Sequence, residues 1–195
     1  FLNQAIQNDR LGLDHARRGA LKSLGWLKPV RHGLMRAGVR PFGVGWTEMT
    51  KATATDFVID AAPVIPVVVI EDASKAADLA KALVDGGLPC IEITLRTPAA
   101  MAALEAVARV EGAIPGVGTV VTPEQLQAAK DAGAQFAVSP GHTAKLLAAA
   151  AAIGTPYLPG AATPAEMQRL MERGYTNLKF FPAEASGGAA YLKNF

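Results

Sequence analysis

Leu88-Pro-Cys-Ile-Glu-Ile-Thr-Leu-Arg-Thr-Pro-Ala-Ala-Met-Ala-Ala-Leu-Glu-Ala-Val-Ala-Arg-Val110 is the stretch on which the fold turns. Its first half is a short apolar run in which Ile91, Ile93 and Leu95 share one face of an extended chain and Glu92, Thr94 and Arg96 share the other. Its second half is rich in Ala and Leu, the residues that lose least on entering a helix. One strand handing over to one helix is a β/α unit, and the pattern recurs on both sides of this one. Strands are expected over residues 64–70, 90–96, 113–120, 135–141, 156–162 and 177–183, with helices over 74–85, 98–110, 123–132, 143–153 and 164–173 and a further start near residue 185.

The punctuation agrees with that reading. Thr97-Pro98, Thr122-Pro123 and Thr163-Pro164 each place an N-cap threonine before a first-turn proline. Glu124 and Glu166 add the first-turn negative charge that the helix dipole favours. Gly86-Gly87, Gly133, Gly154 and Gly174 supply stops. Strict alternation of strand and helix predicts a parallel sheet covered by helices. The closed form of that architecture, the (β/α)8 TIM barrel, takes eight units. About six are visible, so the expectation is an α/β barrel lacking its last two strands and helices, with a six-stranded open sheet as the alternative.

Composition sets outer bounds. Of the chain's 19 Lys+Arg and 17 Asp+Glu, residues 1–48 hold eight and three, leaving eleven and fourteen for the rest. A charge reversal that sharp marks a boundary. Residues 1–48 are read as a basic N-terminal extension, disordered or not native, and residues 49–195 as the incomplete barrel domain, because Met49-Thr-Lys resembles a natural start. A transit peptide or a nucleic-acid-binding arm are the other readings of such a segment. The lone Cys90 supports no disulfide framework and suits a reducing, cytoplasmic compartment. The apolar run at residues 61–70 is too short to span a membrane and holds two prolines.

Two strands carry groups that are costly to bury. In the second, Glu92 and Arg96 would face the barrel interior, where charges persist only if paired or used. A structural ion pair within the strand is the competing reading, but residues i and i+4 lie roughly 13 Å apart along a strand. In the sixth, Lys179 points opposite to Leu178 and Phe180 and so also faces inward. Burial disfavours an ammonium ion, which is how a lysine becomes a nucleophile toward a carbonyl. A lysine snorkelling at a sheet edge is the alternative. Glycine-containing turns, Gly116-Val-Gly-Thr119, Ser139-Pro-Gly141 and Pro159-Gly160, fall at strand C-terminal ends, the active-site mouth of such barrels. Glycine there would let a ligand approach the backbone, Thr119 could offer its hydroxyl to an anion, and Pro140 lies at the same mouth. No metal site is expected: after residue 48 the only histidine is His142, read as solvent-facing, and the only cysteine is Cys90. No Walker loop, dinucleotide fingerprint or nucleophile elbow occurs.

Ile91-Glu-Ile-Thr-Leu-Arg-Thr97, Gly116-Val-Gly-Thr119, Gly133-Ala-Gln-Phe-Ala-Val-Ser-Pro-Gly141 and Leu178-Lys-Phe-Phe-Pro-Ala-Glu184 together resemble the motifs of 2-keto-3-deoxy-6-phosphogluconate (KDPG) aldolases. These are class I, Schiff-base enzymes of the Entner–Doudoroff pathway that often also act on 4-hydroxy-2-oxoglutarate. The resemblance runs in order from about residue 56 to the end. It implies that Lys179 forms the Schiff base, that Glu92 shuttles protons, and that Arg96 and Thr119 hold the keto-acid carboxylate, with Pro140 as a further substrate contact. It also implies a cytoplasmic homotrimer that takes a small keto acid, uses no cofactor or metal, and binds neither nucleic acid nor membrane. The loops that hold the substrate phosphate in that family follow strands seven and eight and have no counterpart here. A thiamine-phosphate synthase-like barrel would leave the inward lysine unexplained. A non-catalytic nucleic-acid binder would sit poorly with the acidic balance after residue 48, whereas a barrel short of two β/α units carries the expectation that this chain by itself is a non-catalytic fragment.

Overall fold

The computed structural model describes residues 54–194. The expectation for residues 1–48 lies outside them. The first described element was not anticipated. It is a short helix, α1 (Asp56–Ala61), followed by β1 (Val67–Val68), a 3-10 turn at Ala73–Lys75, and α2 (Ala76–Asp85). Then come β2 (Cys90–Thr94), α3 (Ala100–Ala108), β3 (Ile114–Gly118), α4 (Pro123–Asp131), β4 (Phe136–Val138) and α5 (Ala144–Ile153). The order continues with β5 (Tyr157–Leu158), β6 (Gly160–Ala161), α6 (Pro164–Glu172), β7 (Lys179–Phe180), a 3-10 turn at Glu184–Ser186 and α7 (Gly188–Leu192).

Strands β1 to β5 form one sheet in chain order, and β6 pairs with β7 in a second ladder. Every pairing is parallel. The expected strand at 156–162 is thus one extended path with two partners. Tyr157 and Leu158 pair with β4, while Gly160 and Ala161 pair with β7. Pro159 lies between the two ladders. It has no N–H to donate, but its carbonyl accepts from the Lys179 N–H at 2.9 Å.

The capping expectations hold at two of three sites. Thr122 and Thr163 each close a full capping box, with Gln125 and Glu166 respectively. Thr97 does not cap. Helix α3 begins later, after Ala99, and the Thr97 hydroxyl instead donates to the Ile70 carbonyl. The hydroxyl therefore ties the β2–α3 turn to the end of the first strand segment. Gly154 ends α5 in the left-handed conformation at φ 70°.

Alternation along the strands separates two apolar layers. Ile91, Ile93, Val117 and Ala137 pack outward under Leu104, Leu126, Leu146 and Leu170 of the helices. Cys90, Phe136, Val138 and Leu158 face the other way and close on Val58 of α1. Helix α1 therefore fills the inner face near the strand N-terminal ends. Asn177, just before β7, donates to the Thr55 hydroxyl at 2.9 Å and to the Asp56 carboxylate at 3.1 Å, fixing α1 there. Six residues are too few to show a helical period, which is why this plug is invisible in the sequence.

Candidate active site

The inner face carries apolar side chains at one level and two charged ones above them. Glu92 follows Cys90 by one full strand period, so it stands on the same face one layer closer to the strand's C-terminal end. Lys179 opens β7 and is registered against Gly160. The two meet across the interior: Lys179 Nζ donates to Glu92 Oε1 at 3.2 Å, with side chains only 12% and 5% exposed. The ammonium also lies 5.3 Å from the centroid of the Phe181 ring, a cation–π distance. Burial pushes the Glu92 carboxyl above its ordinary value, and the nearby Lys179 and Arg96 charges pull it partly back. The partner of Glu92 is thus Lys179, eighty-seven residues away in sequence, and not Arg96 within its own strand.

Three glycines near this pair leave room for the protein's own atoms. A Cβ on Gly118 would stand 2.2 Å from Glu92 Oε1, and one on Gly116 would stand 2.1 Å from Cζ of Phe136. These positions admit the protein's own side chains, Glu92 and Phe136, to the interior. A Cβ on Gly160 would stand 2.3 Å from both the C and O atoms of Pro140. The β4–α5 turn therefore lies directly on β6, and through that strand beside Lys179.

The other expected residues distribute as follows. Arg96 is not inside the barrel. It sits exposed in the turn that follows β2, with its backbone N–H bonded to Thr94 O at 2.8 Å. The strand ends at Thr94, whose hydroxyl donates to Val68 O, so the inward alternation stops one step before Arg96. Its guanidinium still acts on Glu92 electrostatically. Thr119 follows Gly118 at the end of β3 and is the one non-glycine among the described residues with positive φ, at 62°. That conformation is unfavourable for a β-branched residue and clusters at functional sites. Pro140 is half-buried on Gly160.

Sequence reasoning passed over Ser139 and misread His142. The Ser139 hydroxyl is buried, donates to Gly141 O, bonds the Tyr157 hydroxyl, and accepts weakly from the Gly160 N–H at 3.4 Å. Burial raises the Tyr157 hydroxyl well above its ordinary value, so it stays protonated. His142 is half-buried, not solvent-facing, with Nδ1 2.8 Å from Gly160 O. Together these side chains lace the turn that carries Pro140 to β6. The flanking Pro140-Gly141 was a signal for a turn, but nothing local named its distant partners. Burial pushes the Cys90 thiol up to about 12, which makes it a poor nucleophile. Among the described residues no three His, Cys, Asp or Glu side chains gather as ligands for a metal.

The buried Lys179–Glu92 pair brings together the two residues to which the resemblance assigns Schiff-base formation and proton transfer. Residues 55–195 match the family described as KDPG and KHG aldolase. The KHG/KDPG aldolase of Escherichia coli K12 is 45% identical over 142 residues, covering 72% of this chain and 67% of the relative. The 2-dehydro-3-deoxy-phosphogluconate aldolase of Pseudoalteromonas atlantica is 46% identical over 148 residues, covering 75% and 68%. Among solved structures, the 2-keto-3-deoxy-6-phosphogluconate aldolase of Zymomonas mobilis ZM4 with 3-phosphoglycerate superposes with a TM-score of 0.71 at 45% identity, covering 73% of this chain and 68% of that one. The KDPG aldolase of Legionella pneumophila, holding pyruvate as a covalent carbinolamine, gives 0.67 at 45% identity, covering 70% and 67%. The chain thus spans about two thirds of the length of these relatives, and its parallel α/β sheet is a portion of their TIM-barrel-like fold. With the family match, the identities and the superposed sheet all in agreement, the chain belongs to the KDPG and KHG aldolase family.

Proposed function

We propose that this chain is a class I aldolase that cleaves 2-keto-3-deoxy-6-phosphogluconate to pyruvate and glyceraldehyde 3-phosphate through a Schiff base on Lys179, and that it also takes 4-hydroxy-2-oxoglutarate. The buried Lys179–Glu92 pair is the observation that carries this reading. A carboxyl whose affinity for protons is raised by burial can relieve Lys179 of one, freeing an amine to attack the C2 ketone. The carbinolamine loses water to give an iminium. Loss of the C4 hydroxyl proton then breaks the C3–C4 bond, the electron pair passes into the iminium to form an enamine, and the aldehyde departs. Protonation at C3 and addition of water release pyruvate and restore the amine. Glu92 lies within reach of Lys179 to take and return these protons. The pyruvate carbinolamine in the Legionella pneumophila enzyme supports the same covalent step here.

Arg96 suits the planar keto-acid carboxylate as a bidentate fork. Thr119, at the end of β3, would add a hydroxyl, and Pro140, packed on Gly160 of β6, would be a further substrate contact. The family resemblance further supports a homotrimer. The single cysteine supports a cytoplasmic setting. Among the described residues no helix is long and apolar enough to cross a membrane.

The test is borohydride reduction in the presence of pyruvate, followed by peptide mapping. The expected product is one pyruvate-derived adduct on Lys179. An adduct on another lysine, or none, refutes the assignment. Sedimentation analysis tests the trimer independently.

A further inference from the structure

We propose that Gly118 is a positioning residue for the reaction: the hydrogen atom in place of a side chain there sets where the Glu92 carboxylate stands relative to Lys179. The inference rests on the Schiff-base reading above and adds a residue to it. Four observations carry it. The Cβ that any other residue would bring at 118 falls 2.2 Å from Glu92 Oε1, 2.6 Å from Cγ and 2.7 Å from Cδ. The crowded atom Oε1 is the one that accepts the hydrogen bond from Lys179 Nζ. Gly118 has no positive φ, so its backbone conformation does not itself call for glycine. Nor does the clash fall on a freely movable tip, because Glu92 is buried and its side chain is 5% exposed.

Glycine within a strand packs nothing and weakens the strand, so a close approach by another group is the usual reason for finding one there. At Gly118 that group is the acid/base carboxylate itself. A methyl group at 118 forces the carboxyl away from its present site. Misplacement of a reacting group by about 1 Å can cost roughly 10²-fold in rate. The neighbouring Gly116 provides the matched comparison. It lies on the same face of the same strand, but its missing Cβ makes room for the Phe136 ring and not for Glu92.

The experiment compares wild type, Gly118→Ala, Gly116→Ala and the double variant Gly118→Ala/Glu92→Asp. The readouts are the rate of borohydride-trapped pyruvate adduct formation on Lys179, the pH profile of that rate, and thermal unfolding. Gly118→Ala is expected to slow adduct formation by about 10²-fold and to move the acid limb of its profile upward, because a carboxyl displaced from Lys179 loses the charge that held its proton affinity down. Gly116→Ala is expected to lower thermal stability without moving the profile. Glu92→Asp withdraws the Oε1 contact nearest to the new methyl, so the double variant is expected to recover thermal stability lost in Gly118→Ala but not its rate. A Gly118→Ala protein that traps pyruvate at the wild-type rate with an unmoved profile overturns the proposal. So does a Gly118→Ala protein that fails to fold and is not restored by Glu92→Asp. Failure of the wild type itself to trap pyruvate overturns the underlying Schiff-base reading instead, so the two failures are distinguishable.

Discussion

Replacing Gly160 by Ala tests whether the Pro140 turn truly rests on β6. At a site with ordinary φ and open space, Gly→Ala stabilises a protein by roughly 0.4–1 kcal/mol, because the unfolded chain loses freedom. Gly160 has no positive φ, so the backbone permits alanine. The space does not. The added Cβ would stand 2.3 Å from Pro140 C, 2.3 Å from Pro140 O and 2.6 Å from Gly141 N. All three are backbone atoms, and no rotamer change removes them, so the turn must lift as a whole. Forcing extra atoms into a packed site costs about 1–3 kcal/mol. Lifting the turn also breaks the hydrogen bond between His142 Nδ1 and Gly160 O and the weak one from Gly160 N–H to Ser139. Each such bond is worth about 0.5–1.5 kcal/mol net. Offsetting these terms against the entropic gain leaves a loss of about 1–5.5 kcal/mol. In a folded protein stable by about 5–15 kcal/mol that is a large fraction. The assay is urea unfolding at equilibrium, with the apparent KM for the keto acid measured in parallel, since Pro140 and Lys179 both flank Gly160. A Gly160→Ala protein as stable as wild type, or more stable, refutes the packing argument by sign alone.

Four further outcomes follow from the same site. Thr119→Gly removes a left-handed β-branched residue, relieving strain of about 1–3 kcal/mol against about 0.5–1 kcal/mol of added chain freedom; the variant should melt no lower than wild type while its KM for the keto acid rises, and a clear loss of stability would show that Thr119 is not strained. Glu92→Gln should cut turnover by roughly 10²–10⁴-fold, with near-normal turnover marking Glu92 as structural. The Glu92 carboxyl is raised in the folded state above its ordinary 4.5, chiefly by burial. Its contribution to stability is therefore full below that value and is lost as pH rises through the folded one. Wild type should accordingly lose stability relative to Glu92→Gln as pH climbs above about 4.5, and a pH-independent difference in unfolding free energy would contradict the burial argument. Arg96→Lys replaces a planar fork by a point charge and should raise KM for the keto acid more than it lowers kcat, whereas an unchanged KM would remove Arg96 from the carboxylate site.

Much of this protein is legible in the order of its residues, for reasons that are local. Period-two alternation in 90–94 puts Glu92 on the inner face and Ile91 and Ile93 under the helices, and both placements hold. Thr122-Pro123 and Thr163-Pro164 mark helix starts because an N-cap hydroxyl and a fixed proline φ act within one turn of chain. The same signal at Thr97-Pro98 closes no cap: the helix begins only after Ala99, and the Thr97 hydroxyl instead donates to Ile70 O, two residues beyond β1. Arg96 fails for a related reason. Alternation predicts a face only while the chain stays extended, and β2 ends two residues earlier.

The β/α order, the parallel sheet and the inward placement of Glu92 and Lys179 are written in the chain itself, because each depends on periodicity and capping within a few residues. Which groups meet is set by three-dimensional packing alone. Packing pairs Glu92 with Lys179 and not with Arg96. It splits one expected strand into two ladders at Pro159 and brings α1 under the inner face. It also makes Gly116, Gly118 and Gly160 the room for Phe136, Glu92 and the Pro140 turn. A glycine reads alike in sequence whether the space beside it will hold a ligand, a side chain or another backbone. What fills that space is settled by strands brought alongside from distant parts of the chain, and contact across a sheet leaves no period in the sequence of either strand.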